Sequence, residues 1–171
     1  MAMISNLTID QGSSFSVDID VSDADGNAAT QVTSSSFSVD KSPPTISAIT
    51  SGAFSWGASL NATEDNSDGT VTVTTANVED GQNVTITLNS ATYTGAVSSN
   101  SASVTISAAG LQALTHGNTY TLTADVSDAA GNAAAQVTSS SFTVDTILPT
   151  INAITTSAFS WGASLNATED N

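Results

Sequence analysis

The chain repeats itself at an offset of 105 residues. VSDADGNAATQVTSSSFSVD (21–40) returns as VSDAAGNAAAQVTSSSFTVD (126–145), and AFSWGASLNATEDN (53–66) returns unchanged at 158–171. Residues 20–66 set against 125–171 agree at 38 of 47 positions. Self-similarity at a fixed period marks an array in which each period is one folding unit. Proline sets the frame. The three prolines are Pro43, Pro44 and Pro149, and Pro44 and Pro149 share one phase. Proline cannot donate to a β-ladder and fixes φ, so it belongs in a linker or at the first residue of a strand. Boundaries are therefore expected near 45/46 and 150/151. That divides the chain into the C-terminal part of one repeat (1–45), a complete repeat (46–150) and the N-terminal part of a third (151–171). Residues 1–9 do not match their counterparts and read as an atypical start.

Inside the repeat, apolar and polar residues alternate with period two. Val71-Thr72-Val73-Thr74, Val84-Thr85-Ile86-Thr87-Leu88 and Val104-Thr105-Ile106 each place Thr on one face and Val, Ile or Leu on the other. This suits antiparallel sheet with one wet face. Turn signals at Asp68-Gly69, Asp80-Gly81, His116-Gly117 and Gly131-Asn132 separate the runs. Strands are expected near 45–50, 58–63, 70–76, 83–89, 91–97, 101–107, 118–127 and 134–145, with one short helix from Ala108 to Leu114. So many short strands in one period predict an all-β, immunoglobulin-like antiparallel sandwich. Tyr120 opens the strand over 118–127, where such folds carry a tyrosine corner. Phe15 takes that phase in the first repeat, so the hydroxyl is not essential.

Charge narrows the function. One Lys stands against 16 acids, with no Arg and no Cys, for a net charge of −15. Phosphate backbones and anionic lipid would be repelled, which argues against nucleic acid and membrane-surface partners. No apolar run is long enough to span a bilayer, and no basic-then-apolar leader is visible. Without cysteine there is no disulfide frame and no thiolate metal site. A Ser-His-Asp triad is not expected, because the single histidine, His116, aligns with Gln11 in the other copy. Phe54 and Trp56, with their copies Phe159 and Trp161, are expected to pack near the junction or under the second strand. The rival reading makes them an exposed platform for sugars.

DVSDAAGN…FTVDTILPT, preceded by ITLNSATYTGAV…VTISAAGLQALTHGNTYTLTA, resembles the bacterial Ig-like repeats of giant type I-secreted RTX adhesins. It is especially similar to the extender repeats of biofilm adhesins and of an Antarctic ice-binding adhesin. The resemblance covers the whole repeat and recurs in both partial ones. It implies an extracellular bacterial surface fibre of tandem modules, held rigid by Ca²⁺ at and near the linkers. Thr146-Ile147-Leu148-Pro149 matches the family's linker, whereas Lys41-Ser42-Pro43-Pro44 departs from it and sets a cation beside Asp40.

Strand direction sorts the acids into two sets. Glu79 and Asp80, with Asp128 and Asn132, belong to loops at the end where the chain enters a repeat. Glu64, Asp65 and Asp68 belong, with Asp145, to the end where it leaves. Asp40 is the counterpart of Asp145, and Glu169 and Asp170 are those of Glu64 and Asp65. Asp23, Asp25 and Asn27 form the first copy of the Asp128 loop, with Asp25 in place of Ala130. Asp20 and Asp125 are expected as outer or strand-edge ligands. Two carboxylates about 4 Å apart repel by roughly 4 kcal/mol at an effective dielectric of 20. A hard divalent cation that takes six to eight oxygens removes that repulsion. Asp, Glu, Asn and carbonyl oxygens suit Ca²⁺ better than Zn²⁺. The competing reading is that these residues only cap their own turns or stay solvated. The expected function is a non-enzymatic extender whose partners are its neighbouring repeats, with any terminal ligand bound by other domains. The alternatives are a glycan-binding or self-associating module, and an accessory domain of a secreted hydrolase.

Overall fold

A computed structural model describes residues 8–168. The hydrophobic core among them runs from Ile49 to Val144, with Pro44 buried just ahead of it. This central stretch is built from β5 to β14, after four short strands have formed upstream. The upstream strands are β1 (Gly12–Phe15), β2 (Asp18–Ile19), β3 (Val32–Thr33) and β4 (Phe37–Val39). The central ones are β5 (Thr45–Ile46), β6 (Ser59–Asn61), β7 (Gly69–Ala76), β8 (Asn83–Leu88), β9 (Ala91–Ser98) and β10 (Ser101–Ile106). After the helix α1 (Ala108–Gln112) come β11 (Thr119–Tyr120), β12 (Thr123–Asp125), β13 (Val137–Thr138) and β14 (Phe142–Asp145).

Alternation does what it predicts. In β7 the residues Val71 and Val73 are buried and their neighbours Thr72 and Thr74 exposed. In β8 and β10 the buried set is Val84, Ile86, Leu88, Ala102, Val104 and Ile106. The ladder runs β13-β12-β8-β9-β10-β7-β5, and a second sheet runs β11-β14-β6. The fold is an all-β immunoglobulin-like sandwich. Within the ladder β9 links β8 to β10: it pairs with β8 from Ala91 to Ala96, then with β10 at Val97 and Ser98. The pairing of β14 with β6 is parallel, Thr143 opposite Ser59 and Val144 opposite Leu60.

Three expected strands are broken. The first, expected over 45–50, pairs with β7 only at Thr45 and Ile46. It then turns to the opposite edge, where the Ile49 carbonyl accepts from Ser140 N–H at 2.8 Å, and a 3₁₀ turn follows at Ser51–Ala53. The last two strands split where Leu122 is buried. There the Ser139 hydroxyl accepts from Leu122 N–H at 3.0 Å and the Ser139 N–H donates to the Leu122 carbonyl at 2.9 Å. Val17 and Ser34 repeat this exchange upstream, so β1–β4 and β2–β3 reproduce β11–β14 and β12–β13. The tyrosine corner is present: the Tyr120 hydroxyl accepts from Thr115 N–H at 2.9 Å. That bond, foremost among its causes, holds the Tyr120 pKa below its usual value.

Candidate functional site

The loop between β12 and β13 is organised by one carboxylate. Asp128 Oδ1 accepts from Asn132 N–H and Oδ2 from the Asn132 amide, both at 2.8 Å. Gly131, at φ 91°, lets the chain turn back so that Asp128 N–H reaches the Asn132 carbonyl. Asp23 and Asn27 repeat the arrangement, with Oδ1 also accepting from Asp25 N–H at 3.0 Å. The bonds from Asn132 and Asn27 hold the Asp128 and Asp23 carboxyls below the ordinary aspartate range. Asp128 is 4% exposed. The capping reading of these residues therefore describes what they do in the folded chain.

Two further elements meet this loop. Glu79, between β7 and β8, accepts from Ala129 N–H at 2.9 Å. The Asn132 amide also donates to the Asp40 carbonyl at 3.2 Å, tying the residue after β4 to the far loop of the central sandwich. Asp40, Glu79, Asp128 and Asn132 thus gather at one end. Asp80 turns away and accepts from Ser99 N–H at 2.8 Å, fastening the β9–β10 turn. Lys41 points at the Ile9 carbonyl, while Asp40 Oδ1 accepts from Ser42 N–H at 2.9 Å. Lys41 therefore forms no ion pair with Asp40.

The opposite end is less concentrated. Asp145 lies opposite Asn61 in the β14–β6 register, and Asn61 N–H donates to Glu64 at 3.0 Å. Asp145 Oδ1 is 3.5 Å from His116 Nδ1, and His116 Nδ1 accepts from Thr146 N–H at 3.1 Å. Asp68 is drawn off to the start of α1, where it accepts from Ala108 N–H at 2.9 Å. Asp65 is half-buried in the 3₁₀ turn Glu64–Asn66. Asp125 and Asp20 accept from the side-chain amides of Gln136 and Gln31, all at 2.9–3.2 Å. Asp25 lies exposed in the upstream loop. Glu169 and Asp170 lie outside the described residues.

Sequence reasoning did not anticipate the glutamine partners, the Asp80–Ser99 bond or the Asp68–Ala108 bond. The glutamines lie eleven residues after their aspartates in both copies, which is the one signal that could have shown them. Among the described residues, His116 with Asp145 is the single acid–base pair, and no three His, Cys, Asp or Glu side chains converge as a metal site requires. No helix there is long and apolar enough to cross a membrane. The donors at both ends are oxygens except for His116, so their chemistry fits a hard cation.

The sugar-platform reading fails in the central sandwich. Phe54 and Trp56 are 5% and 4% exposed, stacked at 5.3 Å and edge-on to Phe142.

The depressed carboxyl of Asp128 carries a sign. A carboxyl whose folded pKa is lowered contributes stability that is present above its unfolded value, about 3.9, and lost as pH falls through the folded value. Asp128→Ala is expected to lower the urea midpoint at pH 7 while losing less than the parent between pH 5 and pH 2. Parallel acid limbs for the two proteins would refute this role for Asp128.

No protein-family profile and no curated protein matches the chain. Solved structures do. A structure concerned with host-cell-surface retention of a 1.5-MDa bacterial ice-binding adhesin is 30% identical, covering 79% of this chain and 43% of that one, at a TM-score of 0.43. A Ca²⁺-stabilised adhesin with which an Antarctic bacterium reaches out and binds ice is 30% identical, with 79% and 32% covered and a TM-score of 0.43. The present chain therefore spans less than half the length of either. A bacterial immunoglobulin-like domain from the M. primoryensis ice-binding adhesin is also 30% identical, with 60% of this chain and 95% of that domain covered and a TM-score of 0.41.

Proposed function

We propose that the chain, which is similar to a solved bacterial immunoglobulin-like domain at 30% identity over 95% of that domain, is a non-enzymatic spacer of a cell-surface adhesin, stiffened by Ca²⁺ where its units meet. One observation carries this. The Asp40 carbonyl is held by Asn132 at 3.2 Å, beside Glu79 and Asp128, and no lysine or arginine neutralises the group. Oxygens from three separate segments are thus assembled where one repeat would join the next.

Asp40, Glu79, Asp128 and Asn132 would hold the ion at that junction. Glu64, Asp65, Asp68 and Asp145 are the donors at the other end, to be met by the loops of a following repeat. When bound, Ca²⁺ supplies fixed positive charge that cancels carboxylate repulsion. The chain's own part is to bring the loops together: Glu79 docks on Ala129 N–H, Asn132 reaches across to Asp40, and Asp128 keeps its loop folded. Because the donors come from different segments, ion binding is coupled to docking. In the adhesin, the surface location and the terminal ligand belong to the longer protein.

The test is a calcium titration of the chelated chain, followed by calorimetry and small-angle scattering. Binding at a hundredfold excess over Kd stabilises by about 2.7 kcal/mol per site, so the melting temperature rises and the particle becomes longer and stiffer. Melting and scattering curves that stay the same in EDTA and in Ca²⁺ would sink the proposal.

A further inference from the structure

Asparagine followed by serine occurs three times in the central repeat: Asn66-Ser67, Asn89-Ser90 and Asn100-Ser101. Asparagine is a thermolabile residue, because the backbone nitrogen of the next residue can attack its side-chain amide carbon. Since the dipeptide is the same at all three places, the fold decides which of them reacts.

Two of the three are closed by hydrogen bonds inside the sandwich. Asn66 is held at both ends of its amide: Nδ2 donates to the Ala62 carbonyl at 2.6 Å and Oδ1 accepts from the Gln112 amide at 3.1 Å. The attacking nitrogen is engaged as well, since Ser67 N–H donates to the Glu64 carbonyl at 3.4 Å. Asn100 is the second residue of the turn between β9 and β10, so the residue after it, Ser101, already stands in the ladder opposite Ser98. That turn is pinned from two sides. Ser99 N–H donates to Asp80 at 2.8 Å, and the Asn100 carbonyl accepts from Thr75 N–H at 2.9 Å.

The turn between β8 and β9 uses the same two residue types in the opposite order. Leu88 pairs with Ala91 across it, so Asn89 comes first and Ser90 second. The nitrogen that follows Asn89 thus lies inside the turn and outside the ladder. Both residues are exposed, at φ 48° and 67°. Among the described residues, neither the Asn89 amide nor Ser90 N–H has a hydrogen-bond partner.

We propose that Asn89 is a site of spontaneous deamidation and reacts first among the three. The Ser90 backbone nitrogen forms a bond to Asn89 Cγ, the Cγ–Nδ2 bond breaks, and ammonia leaves with the proton given up by Ser90 N–H. Water then opens the cyclic imide at either carbonyl and leaves aspartate or isoaspartate at position 89. Because β7 starts just after Asp68 and β8 returns to the same pole, the new carboxylate appears at the pole of Asp68. The isoaspartate form also adds a methylene to the backbone of a two-residue turn. The reaction uses none of the calcium donors and stands independently of that proposal.

Prolonged incubation of the 171-residue chain in warm, mildly alkaline buffer tests this. Chymotryptic cleavage after Leu88 and Tyr93 isolates the turn, and mass spectrometry reads the change from amide to acid. Asn89 is expected to convert at least about tenfold faster than Asn66 and Asn100, whose reaction must wait for local opening. In concentrated urea the three rates should converge, because only the dipeptide is left. Ser90→Gly removes the side chain beside the attacking nitrogen and suits a positive φ, so it should speed the conversion. Asn89→Gln, with its longer side chain, should abolish it at this position. Equal rates at the three sites in the folded chain, faster loss at Asn66 or Asn100, or an Asn89 that persists in the folded chain while converting in urea would each overturn the proposal.

Discussion

Phe142→Ala is expected to destabilise the central sandwich by about 3–5 kcal/mol, the range for removing a buried phenylalanine. Phe142 is 1% exposed. Its ring is the hub on which Phe54, Trp56 and Tyr120 converge, with centroids at 5.5, 5.4 and 6.2 Å. Aromatic contacts of this kind add about 0.5–1.5 kcal/mol each beyond the area they bury. Phe142 also opens β14, which carries both β11 and β6, so the cavity would lie where three strands are fastened. The urea midpoint should fall with little change in slope. Phe37→Ala is the internal comparison. It removes the same ring at the same phase, but from a 38% exposed site without the aromatic pair. The central transition should then stay where it is. A Phe142→Ala loss below about 1 kcal/mol would mean that the aromatic cluster does not hold the sandwich together.

The strands and the packing of Trp56 were legible because burial leaves a periodic mark. Val71, Val73, Val84 and Ile86 announce their face by alternating with threonine. What the sequence did not reveal depends on non-periodic geometry. Asn89-Ser90 and Ser99-Asn100 make positive-φ turns without glycine, so no glycine signal marks them. The break at Leu122 comes from a single hydroxyl, Ser139, among many serines that do nothing comparable. The carboxylates are the deeper case. Composition says that they are uncompensated and loop topology says that they gather at the ends. Neither shows that Asp128 spends both oxygens on Asn132, or that Asp68 leaves for Ala108. Hydrogen bonding over two to four residues can be read from a motif, but the Asp68–Ala108 bond spans forty residues and needs the fold.

The same limit gives the second prediction, in which local preference points the wrong way. Gly95 lies within β9, where the sequence Tyr93-Thr94-Gly95-Ala96-Val97 reads as ordinary strand. Valine is a strong strand former, and by propensity alone Gly95→Val should add up to about 1 kcal/mol of stability. The structure demands the opposite. A Cβ at Gly95 would lie 2.6 Å from the Ser103 carbonyl oxygen and 3.0 Å from Val104 Cγ2. The first is backbone of β10 and the second belongs to a fully buried side chain, so neither can move aside cheaply. Gly95 still pairs with Val84 of β8, two residues before β9 takes up β10 at Val97, and close approach of the two backbones there is what allows the crossing. Overpacking normally costs about 1–3 kcal/mol. With backbone as the obstacle, Gly95→Val is expected to cost about 3 kcal/mol or more, and Gly95→Ala somewhat less. Because β9 links β8 to β10 within the ladder, the substitution should also loosen that link, seen as faster amide exchange in β9 and β10 than in β7. A Gly95→Val protein as stable as the parent would show that β8 and β10 are not linked through this contact, and a spacer that must stay stiff would need another source of rigidity.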